Sequence, residues 1–182
     1  MPVGILVKQN TKDLNSLLVP ECLSLIALGN KDREIGKMIT GLDHINIVVS
    51  NLEQAKDFFR MLGFTEGDSS ALQGEWISAV VGLPEVEAIY QAMHFPGSPV
   101  QVELIEYRNP PSSAAPGPEQ ANRIGYRHLA FSVDDLEKTM EELAGRHVRF
   151  LSQMQVYARR GKKLVYFYGP DGILLELSEY PR

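Results

Sequence analysis

GLDHINIVVSNLE (Gly41–Glu53) and GYRHLAFSVDDLE (Gly125–Glu137) are two versions of one stretch. Gly41/Gly125, His44/His128, Val49/Val133, Leu52/Leu136 and Glu53/Glu137 are identical at a constant offset. In the first copy Ile45, Ile47 and Val49 alternate with His44, Asn46 and Val48; in the second Leu129, Phe131 and Val133 alternate with His128, Ala130 and Ser132. Period-two alternation predicts a strand with one apolar face, and places each histidine on the other face. Ser50 and Asp134 then stand as helix caps, with Glu53 and Glu137 three residues on to close capping boxes. The helical stripes are Leu52, Ala55, Phe58, Phe59 and Leu62, ending at Gly63, and Leu136, Met140 and Leu143, ending at Gly145.

The duplication extends beyond these stretches. EAIYQAMHF (Glu87–Phe95) and VQVELIEY (Val100–Tyr107), joined by a turn, read as a hairpin; so do KLVYFY (Lys163–Tyr168) and ILLELSEY (Ile173–Tyr180) around GPDG. VELIEY matches LELSEY, aligning Glu103 with Glu176 and Glu106 with Glu179. Each half is therefore β-α-β-β-β, and a repeat of that length is one supersecondary unit used twice. RNPPSSAAPGPEQAN (Arg108–Asn122) has the composition of a linker. The expected organisation is an N-terminal helical extension over 1–38 and an α+β domain over 39–182, made of a module 39–107, a linker 108–122 and a module 123–182.

The chain has 182 residues, 44% hydrophobic and 23% charged, with a net charge of −5. That balance is ordinary for a globular protein and opposes nucleic-acid binding, whose footprint is basic. One cysteine, Cys22, excludes an intrachain disulfide and fits a reducing, cytoplasmic setting. No apolar run approaches the roughly 20 residues of a membrane span. LNSLLVPECLSLIALG (Leu14–Gly29) is apolar, but Asp13, Pro20 and Glu21 flank or interrupt it, and no small-residue cleavage site follows. Leu14, Leu17, Leu18, Cys22 and Leu25 share one helical face instead, so the extension is expected to be helical.

Each half supplies a histidine in its first strand and a glutamate in its last. Glu103 lies between Val102 and Leu104, and Glu176 between Leu175 and Leu177, so alternation sets both glutamates opposite apolar faces. A carboxylate there is costly to bury without a partner. Two imidazoles and two carboxylates converging on one point make a divalent-metal site. Glu106 and Glu179 repeat too, but fall on the other face and read as solvated strand ends.

HINIVV with LEQAKDFFRMLGF, VELIEY, RHLAFSVDDL and GPDGILLELSEY resemble the vicinal oxygen chelate superfamily, which includes glyoxalase I, methylmalonyl-CoA epimerase, extradiol dioxygenases, fosfomycin-resistance transferases and bleomycin-binding proteins. The resemblance covers residues 39 to 181. It implies two paired β-α-β-β-β modules forming a cupped mixed sheet around a metal, with His44, Glu103, His128 and Glu176 as ligands. The metal is a divalent ion, with Zn, Ni, Co, Mn and Fe all open. By similarity to the glyoxalase and epimerase branch, Glu176 is the expected catalytic base and Glu103 its counterpart.

A fourth, acidic ligand at Glu103 favours that branch over the extradiol dioxygenases and thiol transferases, which use three ligands. HINIVV lacks the first-strand arginine typical of glyoxalase I, which sets glutathione in doubt as the substrate. The expected function is a metal-dependent lyase or isomerase acting on a small carbonyl or acyl-thioester substrate through an enolate. An Fe(II) extradiol-type dioxygenase, a metal-dependent thiol transferase and a non-catalytic antibiotic-binding protein remain as alternatives. Asn46, on the face of His44, Trp76 in GEWISAVVGLP, and Arg160 in ARRGKK are expected substrate contacts. Relatives often dimerise, so a homodimer is the expected protein partner, with neither nucleic acid nor membrane.

Overall fold

The computed structural model of the protein describes residues 40–113, 121–122, 125–126 and 128–182. The expected helical extension over 1–38 lies outside the described residues. Leu42–Arg182 forms a compact unit. No helix among the described residues is long and apolar enough to cross a membrane.

The unit contains two four-stranded mixed sheets. In the first module β1 (His44–Val48), α1 (Leu52–Met61), β2 (Thr65–Gln73), α2 (Glu75–Val81), β3 (Glu87–His94) and β4 (Gln101–Asn109) follow in order. In the second come β5 (His128–Ser132), α3 (Leu136–Gly145), β6 (Gln155–Tyr157), β7 (Lys162–Tyr168), a 3₁₀ turn at Pro170–Gly172 and β8 (Leu174–Glu179). The sheet orders are β1-β4-β3-β2 and β5-β8-β7-β6. β1 runs parallel to β4 and β5 parallel to β8, while the other neighbours are antiparallel. The β-α-β-β-β pattern is thus realised twice, with α2 as an insertion that has no counterpart among the described residues of the second module.

The apolar face of each sheet lies under its long helix. Leu52, Ala55 and Phe59 of α1 bury against Val49, Phe64, Met93, Val102 and Leu104. Leu136 and Leu143 of α3 bury against Val165, Phe167, Leu175 and Leu177. Phe58 and Leu62 from the first module and Leu129, Phe131 and Ile173 from the second pack against both clusters. The modules therefore share one apolar junction, and Ser50 reinforces it. Its N–H donates to Asp171 Oδ2 at 2.8 Å, and its hydroxyl donates to Asp171 Oδ1.

That bond corrects the expected helix caps. Ser50 is spent on Asp171, and Asn51 is the N-cap of α1, accepting from Gln54 N at 3.0 Å. In α3 the N-cap is Asp135 rather than Asp134, accepting from Lys138 N at 2.9 Å. Neither capping box forms, because Glu53 pairs with Lys56 and Glu137 with Lys163. The reaching-back role passes to the sheet. Glu106 Oε2 accepts from Leu52 N at 2.7 Å, and Glu179 Oε2 accepts from Leu136 N at 2.8 Å. The two repeated glutamates expected as solvated strand ends are instead the carboxylates that satisfy open donors at helix N-termini, where the helix dipole favours negative charge.

Candidate metal centre

Strand register sets out the site. Within the parallel pairs, Asn46 stands opposite Glu103 and Ala130 opposite Glu176, so both modules place their histidine two residues before the partner of their glutamate. His44 Nε2 is 3.4 Å from Glu103 Oε2, and His128 Nε2 is 3.2 Å from Glu176 Oε2. Two ligand atoms each about 2.0–2.2 Å from one ion are separated by about that much. Imidazole nitrogen beside carboxylate oxygen is also a donor set that divalent first-row ions accept. Each module thus presents a pair that fits half of such a site.

The structure joins these residues as two pairs and not as a foursome. No three of the four expected ligands offer ligand atoms within 4.8 Å of one another; among the described residues that grouping occurs at Asp135, Glu137 and Glu179. The latter group is the cap of α3 with its neighbours, and Lys163 already pairs with two of the three carboxylates. His44 and Glu103 have side chains 40% and 20% exposed, so that pair faces open space.

The two pairs differ in their surroundings. Glu176 is buried, and its Oε1 accepts from Lys162 Nζ at 2.8 Å and from Ser178 Oγ at 2.5 Å. Burial pushes its carboxyl up, but the bonds from Lys162 and Ser178 and the charges of Lys162 and His128 outweigh it. The net position is below the usual carboxylate range. The same bond to Glu176 raises Lys162 against the effect of burial. Burial, with the charge of Glu176 beside it, raises the Tyr166 phenol. The Tyr166 ring lies 4.9 Å from that of His128. Glu103 has a weaker contact, from Gln101 Nε2 at 3.4 Å.

The expected substrate contacts are scattered. Asn46 lines a cavity of about 600 Å³ at the module junction, with Val48, Ser50, Tyr126, Leu129, Asp171 and Ile173 among its other walls. None of His44, Glu103, His128 and Glu176 lines that cavity. Trp76 is 60% exposed on α2, where Ile77 instead turns into the core. Arg160 is exposed in the turn between β6 and β7, outside the cavity. Within ARRGKK the residue that reaches one of the paired glutamates is Lys162, at Glu176. Its signal was present in the sequence: Val165 and Phe167 mark the helix-covered face of β7, so Lys162, Leu164 and Tyr166 must take the other.

Comparison with known proteins agrees with the paired-module fold. Glyoxalase I of Saccharomyces cerevisiae is 37% identical over 75 residues, 41% of this chain but 22% of that enzyme's length. Mitochondrial methylmalonyl-CoA epimerase of Mus musculus is 27% identical over 145 residues, covering 76% of this chain and 72% of the epimerase. The crystal structure of the glyoxalase family protein APC24694 from Bacillus cereus superposes with a TM-score of 0.73 at 26% identity, covering 79% of this chain and 96% of that one. The family model described as Glyoxalase/Bleomycin resistance protein/Dioxygenase superfamily matches residues 41–177, both modules together, and the chain belongs to that superfamily.

Proposed function

We propose that this protein is a divalent-metal-dependent lyase or isomerase of the glyoxalase and epimerase type. Its substrate would be a small carbonyl or acyl-thioester compound in the cell interior, deprotonated beside the carbonyl. The observation that carries the reading is the matched His–Glu pair, His44 with Glu103 and His128 with Glu176, at the same register in both modules. A bound ion would polarise the substrate oxygen and stabilise negative charge as it develops there. The chain's own residues would supply the ligands and the base.

Between the two carboxylates, Glu103 suits proton transfer better than Glu176, the base expected from resemblance. Glu103 is partly exposed and weakly engaged, whereas Glu176 is buried with two donors on one oxygen. Because the pairs of one chain do not share a ligand sphere, we take the working site to be assembled between two copies. His44 and Glu103 of one copy would meet His128 and Glu176 of another.

Metal content of the purified protein, followed by a screen of oxoacids, acyl-CoA esters and hemithioacetals in deuterated water, tests the reading. Stoichiometric metal and deuterium incorporated at the carbon next to a carbonyl are expected. Oxygen consumption with catechols would redirect it to a dioxygenase. Protein without metal that binds a ligand and turns nothing over would redirect it to a binding protein.

A further inference from the structure

The two half-sites are built on equivalent strands but have unlike neighbours. Opposite Glu103 on β3 stands Ala92; opposite Glu176 on β7 stands Tyr166. Two residues beyond each glutamate come Ile105 and Ser178. Ile89 pairs with Glu106 and Lys163 with Glu179, so the residues one step earlier, Ala88 and Lys162, also correspond. Ala88 and Ile105 are buried in an apolar cluster with Ile77 of α2. Among the described residues the second module has no such helix, and a lysine and a serine occupy the matching positions.

Both of those residues donate to the same atom. Glu176 Oε1 takes Lys162 Nζ and Ser178 Oγ, which fills its two lone pairs. Oε2 takes neither and faces His128 Nε2 at 3.2 Å. The Lys162 ammonium is itself held over the Tyr180 ring at 5.2 Å from the centroid. The carboxylate is thus fixed with one oxygen occupied and the other turned to the histidine.

We propose that Lys162 and Ser178 are positioning residues that hold Glu176 as a one-oxygen ligand through Oε2, while Glu103, lacking any such clamp, stays free to rearrange. This rests on the reading of the His–Glu pairs as metal ligands. It assigns unlike duties to two glutamates that the repeat makes look alike. Glu176 binds and does not exchange; Glu103 is the one that can leave and return during turnover. Lys162 also places a positive charge beside the ion, so it holds the ion less tightly than four ligands alone would.

The test is a titration of the full-length protein with Co²⁺ against a competing chelator, with the visible spectrum of the loaded protein recorded. Lys162→Met is expected to bind Co²⁺ at least about fivefold more tightly, as a nearby positive charge is lost. Its spectrum is expected to weaken as Glu176 swings to two-oxygen binding and the coordination number rises. Ser178→Ala moves both readouts the same way by less, and Lys162→Arg returns them toward wild type. Unchanged affinity and spectrum in Lys162→Met, or weaker binding, overturns the clamp while leaving the metal reading intact. Wild type that takes up no Co²⁺, or His128→Ala that binds as tightly as wild type, overturns the metal reading and the clamp with it. Thermal unfolding in chelator checks each variant for folding.

Discussion

His147 takes, at the end of the second module's helix, the left-handed backbone that Gly63 takes at the end of the first. The φ angles are 94° at Gly63 and 64° at His147. In each case the next residue's N–H returns to a carbonyl five back, Phe64 to Phe59 and Val148 to Leu143, both at 3.0 Å. The helix stop is the same device twice, once with the residue it suits and once without. A non-glycine residue in that conformation costs about 1–2 kcal/mol. His147→Gly is therefore expected to stabilise the protein by about 1 kcal/mol in urea unfolding, less the entropy glycine adds to the unfolded chain. Gly63→Ala is expected to destabilise by a similar amount through backbone strain, since its Cβ meets nothing nearer than Phe95 at 3.8 Å. A His147→Gly variant less stable than wild type would show that the imidazole contributes more than the backbone loses.

Glu106 and Glu179 each bind the first N–H of a helix from a strand behind it. Truncating either to alanine is expected to cost about 0.5–2 kcal/mol, the usual range for losing a helix N-terminal partner. The two losses should be alike, because the geometry is, apart from the contact Glu179 makes with Lys163 at 3.3 Å. Thermal melts of Glu106→Ala and Glu179→Ala measure them. Stability within error of wild type for both would mean that water replaces the carboxylates without loss.

The repeat made the module pattern legible: alternation marked β1, β3, β4, β5, β7 and β8 but not the polar edge strands β2 and β6, and the helical stripes matched the faces that α1 and α3 bury. What alternation cannot express is which polar side chain reaches across space. Ser50 looked like a cap because it precedes a helix, yet its partner, Asp171, is 121 residues away. Glu106 and Glu179 looked solvated because their faces were read strand by strand, without the helix end that sits over them. Gly145 ends its helix as expected, but the left-handed turn that follows falls on His147, which nothing in the residue type signals. The histidines and glutamates were legible as two matched pairs. Lys162 was legible only through the alternation of β7, whose Val165 and Phe167 take the covered face; the run of four cations by itself hides which one the strand turns inward.

The metal-free protein should register the Lys162–Glu176 pair in its pH dependence. Glu176 is held below the ordinary carboxylate range in the folded state. Its contribution is therefore present above the unfolded-state carboxylate pKa and is lost as pH falls through the folded value. Lys162 is raised, so its contribution is present below its unfolded value and is lost as pH rises through the folded one. With chelator present, wild type is expected to lose stability below about pH 4 more steeply than Glu176→Gln or Lys162→Met. Urea midpoints across the acid range supply the comparison. Parallel profiles for wild type and Glu176→Gln would mean that other carboxylates carry the acid loss.

A site assembled between two copies makes a prediction that a site closed within one chain does not. His44→Ala damages one half and His128→Ala the other, and each variant alone leaves every site of its dimer with three ligands. Mixed and re-equilibrated, the two form a hybrid dimer in which one site carries both lesions and the other carries none. Random mixing at equal concentrations should then restore about a quarter of the wild-type high-affinity metal sites. If His44, Glu103, His128 and Glu176 instead close on an ion within one chain, every chain in the mixture still lacks a ligand and nothing is restored. Metal titration of the mixture against the separate variants separates the two arrangements. Sedimentation of wild type gives the accompanying check: a monomer at concentrations where metal is bound would rule out assembly between copies.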